Sequence, residues 1–203
     1  MQEAQRTLNV DTMSKTRSEH ISDLVLFERL AGEKHGAERA FAELYSRHSG
    51  KVWALCIRFL GDENDALDVF QDTFTRFFQA AKTVKDMQNV SGYLLKSARN
   101  LCLNARRDKR QLVELEDFHL AVPSPSLEES ELARLITMAL DVIPDEFREV
   151  FILREYEGLS YSEIADIVGT SLANVKIRIH RAKQKIRDVL SPYLAEFSEN
   201  EQQ

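Results

Sequence analysis

The stretch Leu159–Arg187, LSYSEIADIVGTSLANVKIRIHRAKQKIR, decides the fold. Ser160 and Glu163 stand at capping-box spacing, the hydroxyl positioned for the third backbone N–H and the carboxylate for a return bond. Leu159 and Ile164 are placed as a hydrophobic staple across that start, and Ile164, Ala165 and Val168 supply a short inner face. Gly169-Thr170 then makes a tight turn, and Ser171 caps a second helix whose buried positions are Leu172, Val175, Ile179, Ala182, Ile186 and Leu190. Two short amphipathic helices joined by such a turn form a helix-turn-helix. Its second helix is expected to present Ala173, Asn174, Lys176, Ile177, Arg178, His180 and Arg181 outward. In a major groove Asn174 suits adenine, Lys176 and Arg178 suit guanine or phosphate, and Ile177 suits a thymine methyl. Cations also favour helix C-termini without any ligand. Here they run the whole length of the helix, which favours the DNA reading.

Moving upstream, Pro144 sits where a first-turn proline is tolerated, and Phe147, Val150 and Phe151 give the next helix its buried stripe. Before it lies a stretch with two prolines, Pro123 and Pro125, which cannot sit together inside a helix. Local charge divides the chain in the same place. Residues 91–110 carry six basic side chains against one acid and residues 171–187 six against none, while residues 113–166 hold fourteen acids and three bases. The expected organisation is therefore a polar tail (1–21), an N-terminal helical unit (22–112), an acidic linker (113–127), a C-terminal helical unit (128–197) and a short tail (198–203).

In the N-terminal unit the spacing predicts a helix over 62–82 with Asp62 as N-cap and an apolar stripe of Ala66, Val69, Phe70, Thr73, Phe74, Phe77, Phe78 and Ala81. Ser22 opens a short apolar-periodic segment. Phe41, Leu44, Tyr45, Val52, Leu55, Cys56 and Phe59 continue the pattern on either side of an expected break at Ser49-Gly50, with Trp53 as packing. Ser91 is expected to start a helix with Leu94, Leu95, Ala98, Leu101, Cys102 and Ala105 inside. Opposite that face lie Lys96, Arg99, Arg106, Arg107, Lys109 and Arg110, with Asn100 and Asn104 beside them, a strip suited to phosphates or to plain solvation. Asp65, Asp68 and Asp72, with Gln71 alongside, share the solvent side of helix 62–82. They are either dipole-favoured surface acids or a docking face for a basic protein surface.

Composition narrows the function classes. The chain has 203 residues, with 27 Lys+Arg against 33 Asp+Glu and a net charge of -6, which excludes a globally basic DNA binder and confines any nucleic-acid contact to local patches. Seven Gly and four Pro disfavour a turn-rich β architecture, so the expected fold class is all-α. Cys56 and Cys102 have no metal-type spacing and read as reduced core thiols. No membrane span or signal peptide is visible, so the expected compartment is the cytoplasm, without membrane insertion. P-loop, dinucleotide, zincin and nucleophile-elbow motifs are absent, and the five His, including His119 and His180, stand apart in sequence. No catalytic residue, metal or cofactor is expected.

With these residues in view, Ile143–Ile186, IPDEFREVFILREYEGLSYSEIADIVGTSLANVKIRIHRAKQKI, is similar to region four of bacterial RNA polymerase sigma factors of the extracytoplasmic-function type, in the sigma-70 superfamily. Asp65–Phe78, DALDVFQDTFTRFF, resembles the core-binding part of region two, and Tyr93–Arg110, YLLKSARNLCLNARRDKR, its promoter-binding helix. The resemblance covers about residues 22–190 and implies a region-two-like bundle and a region-four-like helix-turn-helix on a flexible acidic linker.

It also implies that the acidic face, Asp65, Asp68, Gln71 and Asp72, docks on the clamp of core RNA polymerase. Tyr93, Lys96, Arg99, Asn100, Asn104, Arg106, Arg107 and Arg110 would lie along the minus-ten promoter element, and Lys85 to Asn89 would match a base-capturing loop. Ser171, Asn174, Lys176, Ile177, Arg178, His180 and Arg181 would read the minus-thirty-five element, and the linker would thread toward the active-site cleft. Promoter DNA, core polymerase and a restraining anti-sigma factor are the implied partners. The chain departs from the family pattern at Tyr93, Asn104, Phe147 and Ile177, where Trp, Asp, Gln and Ser are common. The alternative is a stand-alone helix-turn-helix regulator, which leaves the acidic face and the first basic strip without a purpose. A helical-bundle enzyme would need converging His or carboxylates.

Overall fold

A computed structural model describes residues 21–115 and 131–200. Within them the helices are α1 (Asp23–Arg29), α2 (Lys34–Leu60), α3 (Glu63–Ala80), α4 (Val90–Leu115), α5 (Glu131–Val142), α6 (Asp145–Phe151), α7 (Tyr161–Val168) and α8 (Leu172–Asn200), and no strand occurs among the described residues. The Pro123–Pro125 segment and His119 lie outside the described residues, as do both chain ends.

Caps set most of these boundaries. The Ser22 hydroxyl accepts the Val25 N–H, and the Asp62 carboxylate accepts the Asp65 N–H at 2.9 Å, which starts α3 where the sequence places it. α4 begins at Val90, one residue before the expected Ser91, because Asn89 Oδ1 accepts the Gly92 N–H at 2.9 Å and takes the cap position. It also runs to Leu115, into the stretch read as linker. Pro144 is the N-cap of α6 and precedes its first turn.

In the first unit α2, α3 and α4 pack on one another around Leu44, Leu55, Phe59, Phe74, Phe77 and Leu94. Phe41, Tyr45, Phe70 and Phe74 form a chain of tilted and edge-on ring pairs along the α2–α3 seam, and Trp53 packs edge-on against Phe70. The expected break at Ser49-Gly50 does not occur, since α2 is continuous. A mid-helix glycine costs about 1 kcal/mol relative to alanine, whereas His48 and Val52 on either side are buried and a break would expose them. Phe78, assigned to the buried stripe, is 36% exposed and meets Phe41 at the edge of the seam. Cys56 and Cys102 are both buried and free, and the Cys56 contact together with burial pushes the Cys102 thiol far above its ordinary range.

α1 is tied to α2 by charge. Arg47 donates to Asp23 Oδ1 and to the Ile21 carbonyl, both at 2.7 Å, while Asp23 Oδ2 lies 2.7 Å from His48 Nε2.

In the second unit α6 and α7 pack across α8, burying Val150, Ile164, Val175, Ile179, Ala182 and Ile186. The Ser160–Glu163 capping box is present in both directions, and Gly169 ends α7 in the left-handed region at φ 74°, where glycine avoids the Cβ clash. Leu172 is 44% exposed instead of buried: as the first residue of α8 it precedes Val175, the first position to reach the core. After α6 the chain makes a π-helical turn, Ile152–Tyr156. That wider turn keeps both Ile152 and Leu153 inside. The two units meet where α7 packs on α4 and the π turn on α2.

Burial raises the Asp23 pKa, but the hydrogen bonds from Arg47 and His48 outweigh it and hold the carboxyl below 3.8. A depressed carboxylate contributes stability above its unfolded pKa and loses it as pH falls through the lower folded value. Asp23→Asn is therefore expected to destabilise the chain by about 1–3 kcal/mol at neutral pH. In denaturant titrations the gap from wild type should stay flat down to pH 3.8 and close below it.

Candidate nucleic-acid interface

The start of α8 is built by its cap. Ser171 Oγ accepts the Asn174 N–H at 3.2 Å, and Asn174 Nδ2 donates to Thr170 Oγ1 at 3.2 Å, so the turn holds the side chain that leads the helix. Lys176, Ile177, His180 and Arg181 are exposed, Ile177 to 50%. Arg178 differs from them. It sits next to the buried Ile179 and turns back onto α6, with Nη2 3.3 Å from Glu146 Oε2 and Nη1 3.5 Å from Glu149 Oε1.

The basic strip of α4 divides into two faces. Tyr93, Lys96, Asn100, Asn104 and Arg107 follow one another at helical spacing, and the last four are exposed. Tyr93 is half-buried, its ring 6.1 Å from that of Phe77. This stripe continues the Lys85–Asn89 segment, exposed except for Met87, which packs partly against the core, and Asn89 doubles as the helix cap. Arg99, Arg106 and Arg110 occupy the flank that faces the second unit. Arg99 binds Glu149 through Nε at 2.7 Å and again through Nη2, and its Nη1 donates to Asn100 Oδ1 at 2.8 Å. Arg106 Nε donates to Asp145 Oδ1 at 3.0 Å and Nη1 to the Phe59 carbonyl at 3.3 Å, while Arg110 Nη1 lies 3.0 Å from Asp145 Oδ2.

Between these cations stands a set of acids that the sequence reading did not single out. Glu149 is 2% exposed and Asp145 21%. Burial pushes the Glu149 carboxyl up, and Arg99 and Arg178 pull against that shift. Their one advance signal was the acidic bias of residues 113–166. Arg148, on the same helix, is fully buried. Its Nη1 donates to the Phe59 carbonyl at 3.1 Å, and Nη2 lies 3.1 Å from Asp141 Oδ1, off the line of a hydrogen bond. Burial, with Arg106 nearby, lowers the Arg148 guanidinium to about 10.

On α3 the expected acidic face also divides. Asp68 and Gln71 are exposed, and Asp72 Oδ2 accepts from Arg76 Nε at 3.0 Å. Asp65 turns to α4 instead, with Lys109 Nζ 2.7 Å from its Oδ2. Exposed apolar side chains accompany the acids, namely Leu67 on α3 at 42% and Tyr45 on α2 at 40%. No His/Cys/Asp/Glu group capable of holding a metal occurs among the described residues, and no described helix is long and apolar enough to cross a membrane.

These features define a class: an all-helical protein of two units, with a polar stripe on a helix of the first and a helix-turn-helix in the second. Residues 44–111 match the family model "Sigma-70 region 2", and residues 133–186 match "Sigma-70, region 4". The chain is 34% identical to the ECF RNA polymerase sigma factor SigE of Mycolicibacterium smegmatis, over 78% of this chain and 64% of that protein's length. It is 29% identical to the ECF RNA polymerase sigma-E factor of Haemophilus influenzae, over 87% of this chain and 100% of that one. The solved sigma factor RpoE of Bartonella quintana, in complex with the anti-sigma factor NepR, has the same fold at TM-score 0.65 and 23% identity, over 75% of this chain and 98% of that one. The chain belongs to the sigma-70 family of promoter-specific transcription factors, in its extracytoplasmic-function branch.

Proposed function

We propose that this chain docks on core RNA polymerase through α3 and directs promoter-specific initiation, α4 contacting the minus-ten element and α8 reading the minus-thirty-five element. The observation that carries this reading is the presence in one chain of an acidic, apolar-flanked face on α3 and two separate exposed polar stripes on α4 and α8. A stand-alone helix-turn-helix regulator uses only the last of these.

The roles follow from the chemistry. Asp68, Gln71 and Asp72 offer carboxylate and amide oxygens to a basic surface, with Leu67 supplying apolar contact beside them. Lys96 and Arg107 meet phosphates, while Tyr93, Asn100 and Asn104 offer a ring and amides to bases. On α8 Asn174 suits adenine and Ile177 a thymine methyl, with Lys176 and Arg181 on phosphate or guanine. Tyr93, Asn104 and Ile177 depart from the common family residues, so the preferred promoter is this chain's own. The protein works by positioning, without catalysis or cofactor, in the cytoplasm beside the polymerase. A protein that covers the α3 face acts as its anti-sigma factor.

The deciding experiment is transcription from pooled genomic DNA by core bacterial polymerase with and without this chain, mapping transcript starts. New starts sharing two upstream motifs are expected, and their absence overturns the reading. Asp68→Lys with Asp72→Lys should abolish polymerase co-purification while leaving the thermal midpoint within about 2–4 °C of wild type, as surface substitutions do. Asn174→Ala should relax the base preference at one upstream position by about 1–3 kcal/mol. A uniform loss over all sequences would instead mark Asn174 as part of the turn scaffold.

A further inference from the structure

Thr170 stands between the two helices of the helix-turn-helix, outside the residues assigned to DNA, and bonds to both. Its backbone N–H donates to the Ala165 carbonyl at 3.1 Å, the same oxygen that takes the Gly169 N–H at 2.9 Å, so its main chain belongs to the closing turn of α7. Its hydroxyl oxygen accepts Nδ2 of Asn174, on α8, at 3.2 Å. Thr170 is half-buried, whereas Asn174 is exposed. We infer that Thr170 is a positioning residue for base selection, its hydroxyl holding the Asn174 amide in the orientation that pairs with adenine. The inference rests on the promoter reading above and deepens it, because it names the group that gives Asn174 its preference.

An exposed asparagine left to itself discriminates poorly. Its amide turns freely about the outer side-chain bond, and a half turn exchanges the oxygen with the nitrogen. Adenine presents a donor, N6, beside an acceptor, N7, so a carboxamide matches it only with the oxygen toward N6 and an N–H toward N7. The amide carries two N–H groups and one carbonyl oxygen. With one N–H given to Thr170, the second N–H and the oxygen remain, and these are the pair that adenine requires. Guanine presents two acceptors, N7 and O6, on the same edge, so the held amide meets one match and one repulsion there. Released from Thr170, the amide adapts to a single hydrogen bond with any base, and discrimination falls.

Closure of the turn uses other bonds. Gly169 ends α7 in the left-handed region at φ 74°, Ser171 Oγ accepts the Asn174 N–H at 3.2 Å, and the Ser171 carbonyl accepts the Val175 N–H at 3.0 Å. The Thr170–Asn174 side-chain bond is additional to these. At an exposed site it adds little to folding, since water offers the amide equivalent partners. Its effect is on orientation. Threonine suits the task, because its branched Cβ restricts the side-chain rotamer and the hydroxyl takes its place from a main chain already anchored on Ala165.

The test uses the full chain with core bacterial polymerase on a promoter library randomised through the upstream element, with base preference read from transcript counts. Thr170→Val keeps the branched shape and removes the hydroxyl. It is expected to lower the adenine preference at one upstream position by about fivefold, the effect of one neutral hydrogen bond, while the other upstream positions keep theirs. Thr170→Ser retains a hydroxyl and should show the wild-type preference. In an Asn174→Ala background Thr170→Val should change nothing further at that position, since the two residues act through one contact. A ratio between promoters is unaffected by a smaller folded fraction, and where Thr170→Val does not fold by circular dichroism, Thr170→Ala takes its place.

An equal loss over all sequences with the adenine preference kept overturns the inference and leaves Thr170 as part of the turn. An effect that Thr170→Ser shares, or that persists in the Asn174→Ala background, overturns it as well. Failure of the proposed function reads differently, because wild type itself would then yield no promoter starts. Starts from wild type whose adenine preference is lost with Asn174→Ala but kept with Thr170→Val sink this inference alone.

Discussion

The carbonyl of Phe59 receives two guanidinium groups, Arg106 from α4 at 3.3 Å and Arg148 from α6 at 3.1 Å. It lies in the last turn of α2, where backbone oxygens lack helical partners and the helix dipole is negative. A buried oxygen there must find a donor, and the chain supplies one from each unit. That requirement brings α6 against the end of α2 and so fixes where Asp145 and Glu149 stand relative to the cations of α4. The junction of the two units thus joins a helix end to an apolar cluster that is continuous through both units.

The alternation of charge along the chain takes on a spatial meaning in this arrangement. A net charge of -6 would repel DNA if it were spread evenly, yet residues 91–110 and 171–187 each carry six cations, while α3 carries acids at Glu63, Asp65, Asp68 and Asp72 and α6 at Asp145, Glu146 and Glu149. Acids on α3 remain at the surface beside Leu67 and Phe78, a combination suited to a protein partner. Those of α6 are turned inward onto Arg99, Arg106, Arg110 and Arg178. One excess of negative charge therefore has two different uses, an outward face for recognition and an inward face for neutralising the chain's own cations.

Much of the candidate site was legible in the sequence because it depends on short-range rules. The Ser160–Glu163 box, the Asp62 cap and the Gly169 turn act within a few residues, and all three are present. The amphipathic stripes of α3 and α8 follow from the 3.6-residue period and miss at Phe78, which stands at the edge of the α2–α3 seam, and at Leu172, the first residue of α8. Reading Ser49-Gly50 as a break weighed local propensity alone, without the burial of His48 and Val52 on either side. The π turn at Ile152–Tyr156 escaped for a similar reason, since a fixed helical period contains no wider turn.

The sequence by itself determined the all-helical class, the helix-turn-helix and the existence of two basic strips and one acidic face, because backbone capping and helical periodicity are local. Only the tertiary structure decided which members of each strip are available. Lys96, Asn100, Asn104 and Arg107 face solvent, while Arg99, Arg106 and Arg110 face acids from a helix more than thirty positions away. On α4 both groups are equally outward by period, and the partner that separates them is brought in by the chain's long-range packing. No rule confined to a single helix can specify that choice.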